Sequence, residues 1–321
     1  MSLRAATGRV GHIAVLNSAA FTASAPASPG TGSISSADGS SVYMVAPDRG
    51  STVVTRIRGS DRTAQATLRL RGLFEVPSVA GVRGGLSSDG RTLVLGDHPG
   101  AHVSRFALID TRSLGVRRML ALHGTYSFDA MSPDASTLYV LRFLSRDGTH
   151  YAVQALDMTD SHPVAHTVVE KGEPGEGMSG QALTRTSGAD GNWVYTLYDG
   201  AGKAPFVHAL STVDKFTVCI DLDGLKGRRD LASLALDLRP GTKTLAVTAA
   251  GTPVALVKTD SFEVTAPPTP APRRPSPTAG AAGSGRSTLQ WLALGALATA
   301  LAAAAATAHV LNRRTSQDLS H

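Results

Sequence analysis

The chain has 321 residues, 42% of them apolar and 17% charged, with 33 glycines and 17 prolines. This is the composition of a turn-rich globular protein, and it excludes a disordered or fibrous chain. The formal net charge is +6, but the tightest basic clusters, "GVRRM" (115–119) and "LKGRRD" (225–230), have no interleaved aromatics and match no nucleic-acid module. Both are read as solvated turns, and nucleic acid is excluded as a partner.

Residues 1–29 differ in character from the rest of the chain. Arg4 and Arg9 precede a modest apolar stretch, and Ala25-Pro26-Ala27 makes an A-x-A arrangement, which is the layout of a signal peptide. Asn17 and Ser18 interrupt the apolar run. "GHIAVL" (11–16) also reads as a β-strand that closes a ring, and a third reading puts the true start upstream of Met1. The residues themselves leave all three open.

From residue 30 to 264 one phrase returns. It is "SADGSSVYMV" (36–45), "SSDGRTLVLG" (87–96), "SPDASTLYVL" (132–141), "GADGNWVYTL" (188–197) and "RPGTKTLAVT" (239–248). The turn slot holds Asp38, Asp89, Asp134, Asp190 and then Gly241, at intervals of 51, 45, 56 and 51 residues. A turn-then-strand unit at a period of ~40–50 residues is the signature of propeller blades. A strand-like run follows each phrase ("VVTRIRGSD", "RFALIDTRS", "YAVQALDMTD", "FVHALSTVD", "VALVKTDSF"). A further run often comes after that ("AQATLRLRG", "RRMLAL", "AHTVVE", "FTVCIDL"). "SFDAM" (127–131) and "SLALDL" (233–238) precede their turns. Four short strands per unit predict an all-β fold, a β-propeller of about five four-stranded blades. The fifth unit shows no obvious last strand, and "GHIAVL" is the candidate to supply it. The Asp slot suits a tight turn, so these carboxylates are read as structural. One Asp per unit lacks the clustered carboxylates that Ca²⁺ needs. The single cysteine, Cys219, excludes an intramolecular disulfide and reads as a small core residue among apolar neighbours.

"SPDASTLYVL" and "FALIDTRSL" resemble the S-P-D-G-x-x-h-Y-V and V-x-V-I-D-T elements of YVTN and WD40-like β-propeller repeats of bacterial surface proteins. The resemblance covers about residues 30–264. The fifth unit departs from it with Gly241-Thr242, and no unit carries a W-D dipeptide. With residues 265–321 included, the chain resembles an actinobacterial membrane-anchored ectodomain.

Residues 265–287 form a Pro/Gly/Ser-rich linker, first a semi-rigid polyproline II spacer and then a flexible part. Residues 288–311 contain "WLALGALATALAAAAATAHVL", Trp291 to Leu311, 21 residues without a formal charge. That length spans a bilayer core as one transmembrane helix, with Trp291 at one interface and Arg313 and Arg314 beyond the other. Residues 312–321 then make a short cytoplasmic tail. The charge count around the helix favours this orientation when only the nearest arginines are included, and reverses when Arg273 and Arg274 are added.

No motif carries chemistry. "YDGAGKAP" around Lys203 lacks the spacing of a phosphate loop, with Ala204 in the Ser/Thr slot; "GEPGEG" (172–177) and "GMSGQ" (177–181) miss the dinucleotide and nucleophile-elbow patterns. His98 with His102, and His162 with His166, have i, i+4 spacing, but each pair straddles a proline in a turn-rich region, where that spacing does not make a chelate. No catalytic, cofactor-binding or metal site is therefore assigned. The expectation is a single-pass cell-membrane protein with an extracytoplasmic propeller. It would act as a non-enzymatic binding or scaffold module for a protein or envelope component. The alternative is a lactonase-like hydrolase with its site at the ring axis. The resemblance includes such enzymes, although this chain is about two blades shorter than they are.

Overall fold

In a computed structural model of the protein, the described residues are 32–97, 102–145, 147–160, 162–168, 170, 178–239 and 241–267. "GHIAVL", "GEPGEG", His98 and the segment from Trp291 to Leu311 lie outside them. Among the described residues no helix is long and apolar enough to cross a membrane.

The described chain is built from antiparallel β-meanders. The first sheet holds β1 (Gly32–Ser35), β2 (Ser41–Asp48), β3 (Ser51–Arg58) and β4 (Ala64–Arg71), in that order. The second begins with the short β5 (Phe74–Glu75). A two-stranded ribbon, β6 (Ser78–Val79) and β7 (Val82–Arg83), then interrupts it. It resumes with β8 (Thr92–Asp97), β9 (Val103–Asp110) and β10 (Gly115–His123). The third contains β11 (Tyr126–Met131), β12 (Thr137–Phe143), β13 (His150–Asp157) and β14 (Ala165–Thr167), with β15 (Met178–Ser179) also on β13. The fourth runs through β16 (Ala182–Ser187), β17 (Trp193–Tyr198), β18 (Phe206–Ser211) and β19 (Phe216–Asp221). The fifth comprises β20 (Leu234–Leu238), β21 (Thr244–Ala249), β22 (Thr252–Lys258) and β23 (Val264–Thr265).

The sheets pack face to face. Four buried apolar clusters join them in series. Tyr43, Val45 and Val54 of the first sheet meet Leu93, Leu95 and Ile109 of the second. Val94 and Phe106 meet Leu138 and Val140. Tyr139, Leu141 and Val153 meet Val194, Tyr198 and Leu210. Leu197 and Val207 meet Leu245, Val247 and Val257. Because β8, β12 and β17 are covered on both faces, they read as short continuous runs of apolar residues instead of an alternation. The first sheet is different. Tyr43, Val45 and Val54 are buried, while Val42, Met44 and Val53 on the opposite face are half-buried.

The repeated turn has one network. Ser132 Oγ donates to Asp134 Oδ1 at 2.8 Å, the Ser136 N–H donates to the same oxygen at 3.0 Å, and the Thr137 N–H donates to Ser132 Oγ at 2.9 Å. The same bonds recur at Ser36/Asp38 and Ser87/Asp89, and again in the β12–β13 turn at Ser145/Asp147. Bonds from the Ser36 hydroxyl and the Ser40 N–H hold the Asp38 carboxyl down at about 2. In the fourth sheet Gly188 stands in the Ser slot, and Asp190 still accepts from the Asn192 N–H. The Asp slot is structural, as its turn chemistry predicts. Asp134→Ala is expected to cost about 1 kcal/mol, read as a lower urea midpoint with an unchanged slope.

Three expectations change. The basic cluster 115–119 is in strand β10 and not in a turn. Arg117 pairs with Asp110 at 3.4 Å, and Arg118 donates to the Asp160 carbonyl at 2.6 Å. A solvated edge strand accommodates arginines as readily as a turn does. The fifth unit has its own last strand in β23, paired to β22 through Val257↔Val264 and Leu256↔Thr265. That strand crosses the expected linker boundary by one residue. Cys219 is half-buried on the outer strand β19, because an edge strand has a neighbour on only one side.

Candidate functional site

The turn tips of three sheets meet. Ser88 Oγ donates to the Asp190 carbonyl at 3.0 Å, from the second sheet to the fourth, and the Asp89 N–H reaches the Pro133 carbonyl at 3.4 Å, from the second to the third. A Cβ on Gly191 would fall 2.7 Å from Ser88 Oγ, so the approach at this point requires glycine. The first strands of these sheets therefore share an axis, which is the architecture of a β-propeller.

On that axis lies a cavity of about 390 Å³. Its walls come from β1, from the ribbon β6–β7 and the segment after it, and from β11 and β16. Ser35, Ser187 and Thr186 supply hydroxyls; Ile34, Phe128 and Met131 supply apolar surface. Three charged side chains line it: Arg83, Asp129 and Arg185.

Asp129 and Arg185 are committed to each other. Arg185 Nη2 donates to Asp129 Oδ1 at 2.9 Å, and Nη1 donates to the Asp129 carbonyl at 2.7 Å. Their side chains are 3% and 8% exposed. The pair ties the inner strand of the third sheet to that of the fourth. One guanidinium N–H is thus spent on the Asp129 carboxylate and another on its backbone carbonyl, so both charged side chains are occupied in joining the two strands.

Behind Arg185 runs a polar row. Cross-strand register aligns Arg185 with Thr196, Thr196 with His208, and His208 with Cys219. Directly opposed residues share a face, so the row crosses the fourth sheet on the side facing the third. His208 is 3% exposed, and its Nε2 is buried with no hydrogen-bond partner. Burial pushes its imidazolium pKa down to about 4, against the opposing pull of the Asp129 carboxylate. The ring of Tyr198 sits edge-on to it, with centroids 6.3 Å apart. Burial likewise raises the Tyr198 phenol. The row ends at a rim pocket of about 500 Å³ lined by Cys219, Glu170, Lys203 and Asp221 among others. There Glu170 Oε1 accepts from the Cys219 N–H at 2.9 Å.

The residues with candidate motif spacing are scattered. Lys203 closes a short 3₁₀ turn, Gly200–Gly202, between β17 and β18, where Asp199 accepts from the Ala201 N–H. His162 follows β13 and His166 is on β14. Among the described residues no group of three His, Cys, Asp or Glu is placed to hold a metal ion. Asp129, Arg185 and His208 had no sequence signal, because they lie inside runs that read as ordinary strand. The ribbon had one. "VPSVAGVRGG" (76–85) puts Pro77 and three glycines where the other units carry an uninterrupted first strand.

No family model matches the sequence, and no curated protein matches it. Solved structures give remote likenesses. The β-propeller domain of Cps50 (Swd1) from Myceliophteria thermophila is 12% identical, with a TM-score of 0.44 over 70% of this chain and 64% of that one. A functionally unknown protein from Desulfotomaculum acetoxidans is 12% identical, with a TM-score of 0.46 over 74% and 68%. TolB from Acinetobacter baumannii is 12% identical, with a TM-score of 0.39 over 71% and 51%. The chain spans less than two thirds of the first of these.

Proposed function

We propose that this chain is a five-bladed propeller of the YVTN/WD40-like type, carried on the 265–287 stalk by a transmembrane helix over 288–311. In this reading it faces outward from the cell membrane and acts as a non-enzymatic binding module for a protein or envelope component. One observation carries the binding reading. The carboxylate and the guanidinium that converge on the axis, Asp129 and Arg185, are paired with each other inside the wall, so the ion pair serves the scaffold and leaves a cavity of ligand-binding size.

Membrane sidedness is tested with a cysteine at Ser276 in a Cys219→Ala background, using a membrane-impermeant maleimide on intact cells. Labelling without lysis is the expected result; labelling only after lysis overturns the outward orientation. Turnover of any member of a lactone panel, abolished by Asp129→Asn, overturns the non-enzymatic reading.

A further inference from the structure

The charges around the axial cavity do not cancel. Asp129 and Arg185 neutralise each other in the wall. Arg83 is the third charged residue of the lining, and its contacts are of a different kind. Its Nη1 donates to the Ser33 carbonyl at 2.8 Å and to Ser33 Oγ at 3.2 Å, both uncharged acceptors. Among the described residues no carboxylate forms an ion pair with it. The cavity therefore presents one uncompensated guanidinium beside hydroxyls and apolar side chains.

The position of Arg83 is built and not incidental. It ends the β6–β7 ribbon, which interrupts the first strand of the second sheet and reaches across to β1 through Ser33. The root of the ribbon is tight. A Cβ on Gly84 would lie 3.0 Å from the Phe128 ring, and one on Gly85, whose φ is +96°, would lie 2.5 Å from the Val94 carbonyl oxygen. The Gly84 N–H also donates to the Pro77 carbonyl at 2.9 Å. The insertion thus holds an exposed arginine in the cavity wall from a fixed base. A planar guanidinium with donors left over is suited to a carboxylate.

We propose that the axial cavity binds a small organic anion, a carboxylate on a short apolar body, with Arg83 taking the carboxylate. The apolar body would rest against Ile34, Phe128 and Met131, all of which line the same cavity. This rests on the binding reading above and adds the ligand class and the residue that selects it.

The test uses the full chain in detergent with benzoate and butanoate, each against its own amide, by isothermal titration calorimetry. The amides keep the shape and remove the charge. The expected result is that the carboxylates bind about tenfold or more tightly than the amides. Arg83→Gln abolishes the difference, and Arg83→Lys retains part of it. The exposed Arg62→Gln removes the same formal charge elsewhere and leaves the difference intact. Arg83 is exposed, so its variants are expected to melt with the parent. Equal binding of acid and amide overturns the proposal, as does an equal loss in Arg62→Gln, which would indicate diffuse charge. Absence of binding by all four probes overturns it too. None of these results bears on the maleimide labelling or the lactone panel, so failure here is distinguishable from failure of the broader reading.

Discussion

Asp129→Ala lowers the stability of the fold by about 3–5 kcal/mol, the cost of leaving a buried charge without its partner. Arg185 would remain in the wall at 8% exposure, with only the Asp129 backbone carbonyl to accept from it. The loss appears as a fall in the urea midpoint at pH 7. Removing both charges together, as Asp129→Leu with Arg185→Met, should recover most of it, because a well-packed apolar pair of similar volume avoids the desolvation that the ion pair incurs. The contrast between single and double replacement is the informative quantity. A single variant that costs less than about 1 kcal/mol would mean that the guanidinium finds water or another acceptor, and the pair would then not join the two sheets.

Acidification is expected to weaken the fold through His208 before it does so through the carboxylates. The unfolded imidazole binds its proton near the ordinary value of 6.5, whereas in the fold burial holds it to about 4. Between those values the unfolded chain carries a proton that the folded chain does not. Stability is therefore complete above about pH 6.5 and is lost as pH falls toward 4, by roughly 3 kcal/mol in all. The turn aspartates act in a lower window. Asp38 and Asp147 are held at about 2, so their contribution is present above the ordinary carboxylate value near 3.8 and is lost only below it. Urea midpoints between pH 7 and 4.5 separate the two. His208→Gln should flatten that interval while leaving the decline below pH 4, and an unchanged slope in the variant would assign the acid sensitivity elsewhere.

The architecture was legible because its signal is local and repeated. A Ser or Gly, an Asp two residues on and an apolar residue four beyond that mark the first four turns, the fifth keeping only the apolar slot at Leu245, and the bonds at Asp38, Asp89 and Asp134 show why those residue types recur. The crossovers between sheets escaped notice, although they repeat as well. Thr52 and Ser104 each donate to a crossover glycine carbonyl, Gly72 and Gly124, and accept from the N–H two residues further on, Phe74 and Tyr126. Gly72 and Gly124 have φ of 102° and 123°. Their hydroxyl partners lie about 20 residues earlier in sequence, too far for a turn motif to reveal. The axial cavity was illegible for a related reason. Asp129, Arg185 and Arg83 come from three sheets, and only the stacking of those sheets brings them together. His208 was hidden by its own strand, where one polar residue among Val207, Ala209 and Leu210 follows the alternation of any half-buried strand.

The serial packing of the sheets has a consequence for how the molecule comes apart. Each interior sheet is clamped by two neighbours, but in the first Val42, Met44 and Val53 are only half-covered on the face opposite Tyr43 and Val45, and in the fifth Ala235 and Asp237 are exposed opposite the packed leucines of β20. Opening an end sheet breaks one interface; opening an interior one breaks two. Such an array unzips from its ends inward. Asp129 and Arg185, on the third and fourth sheets, lie in the part that opens last, whereas Arg83 is tied to Ser33 of the first sheet, so thermal opening of that end releases Arg83 while the buried ion pair persists.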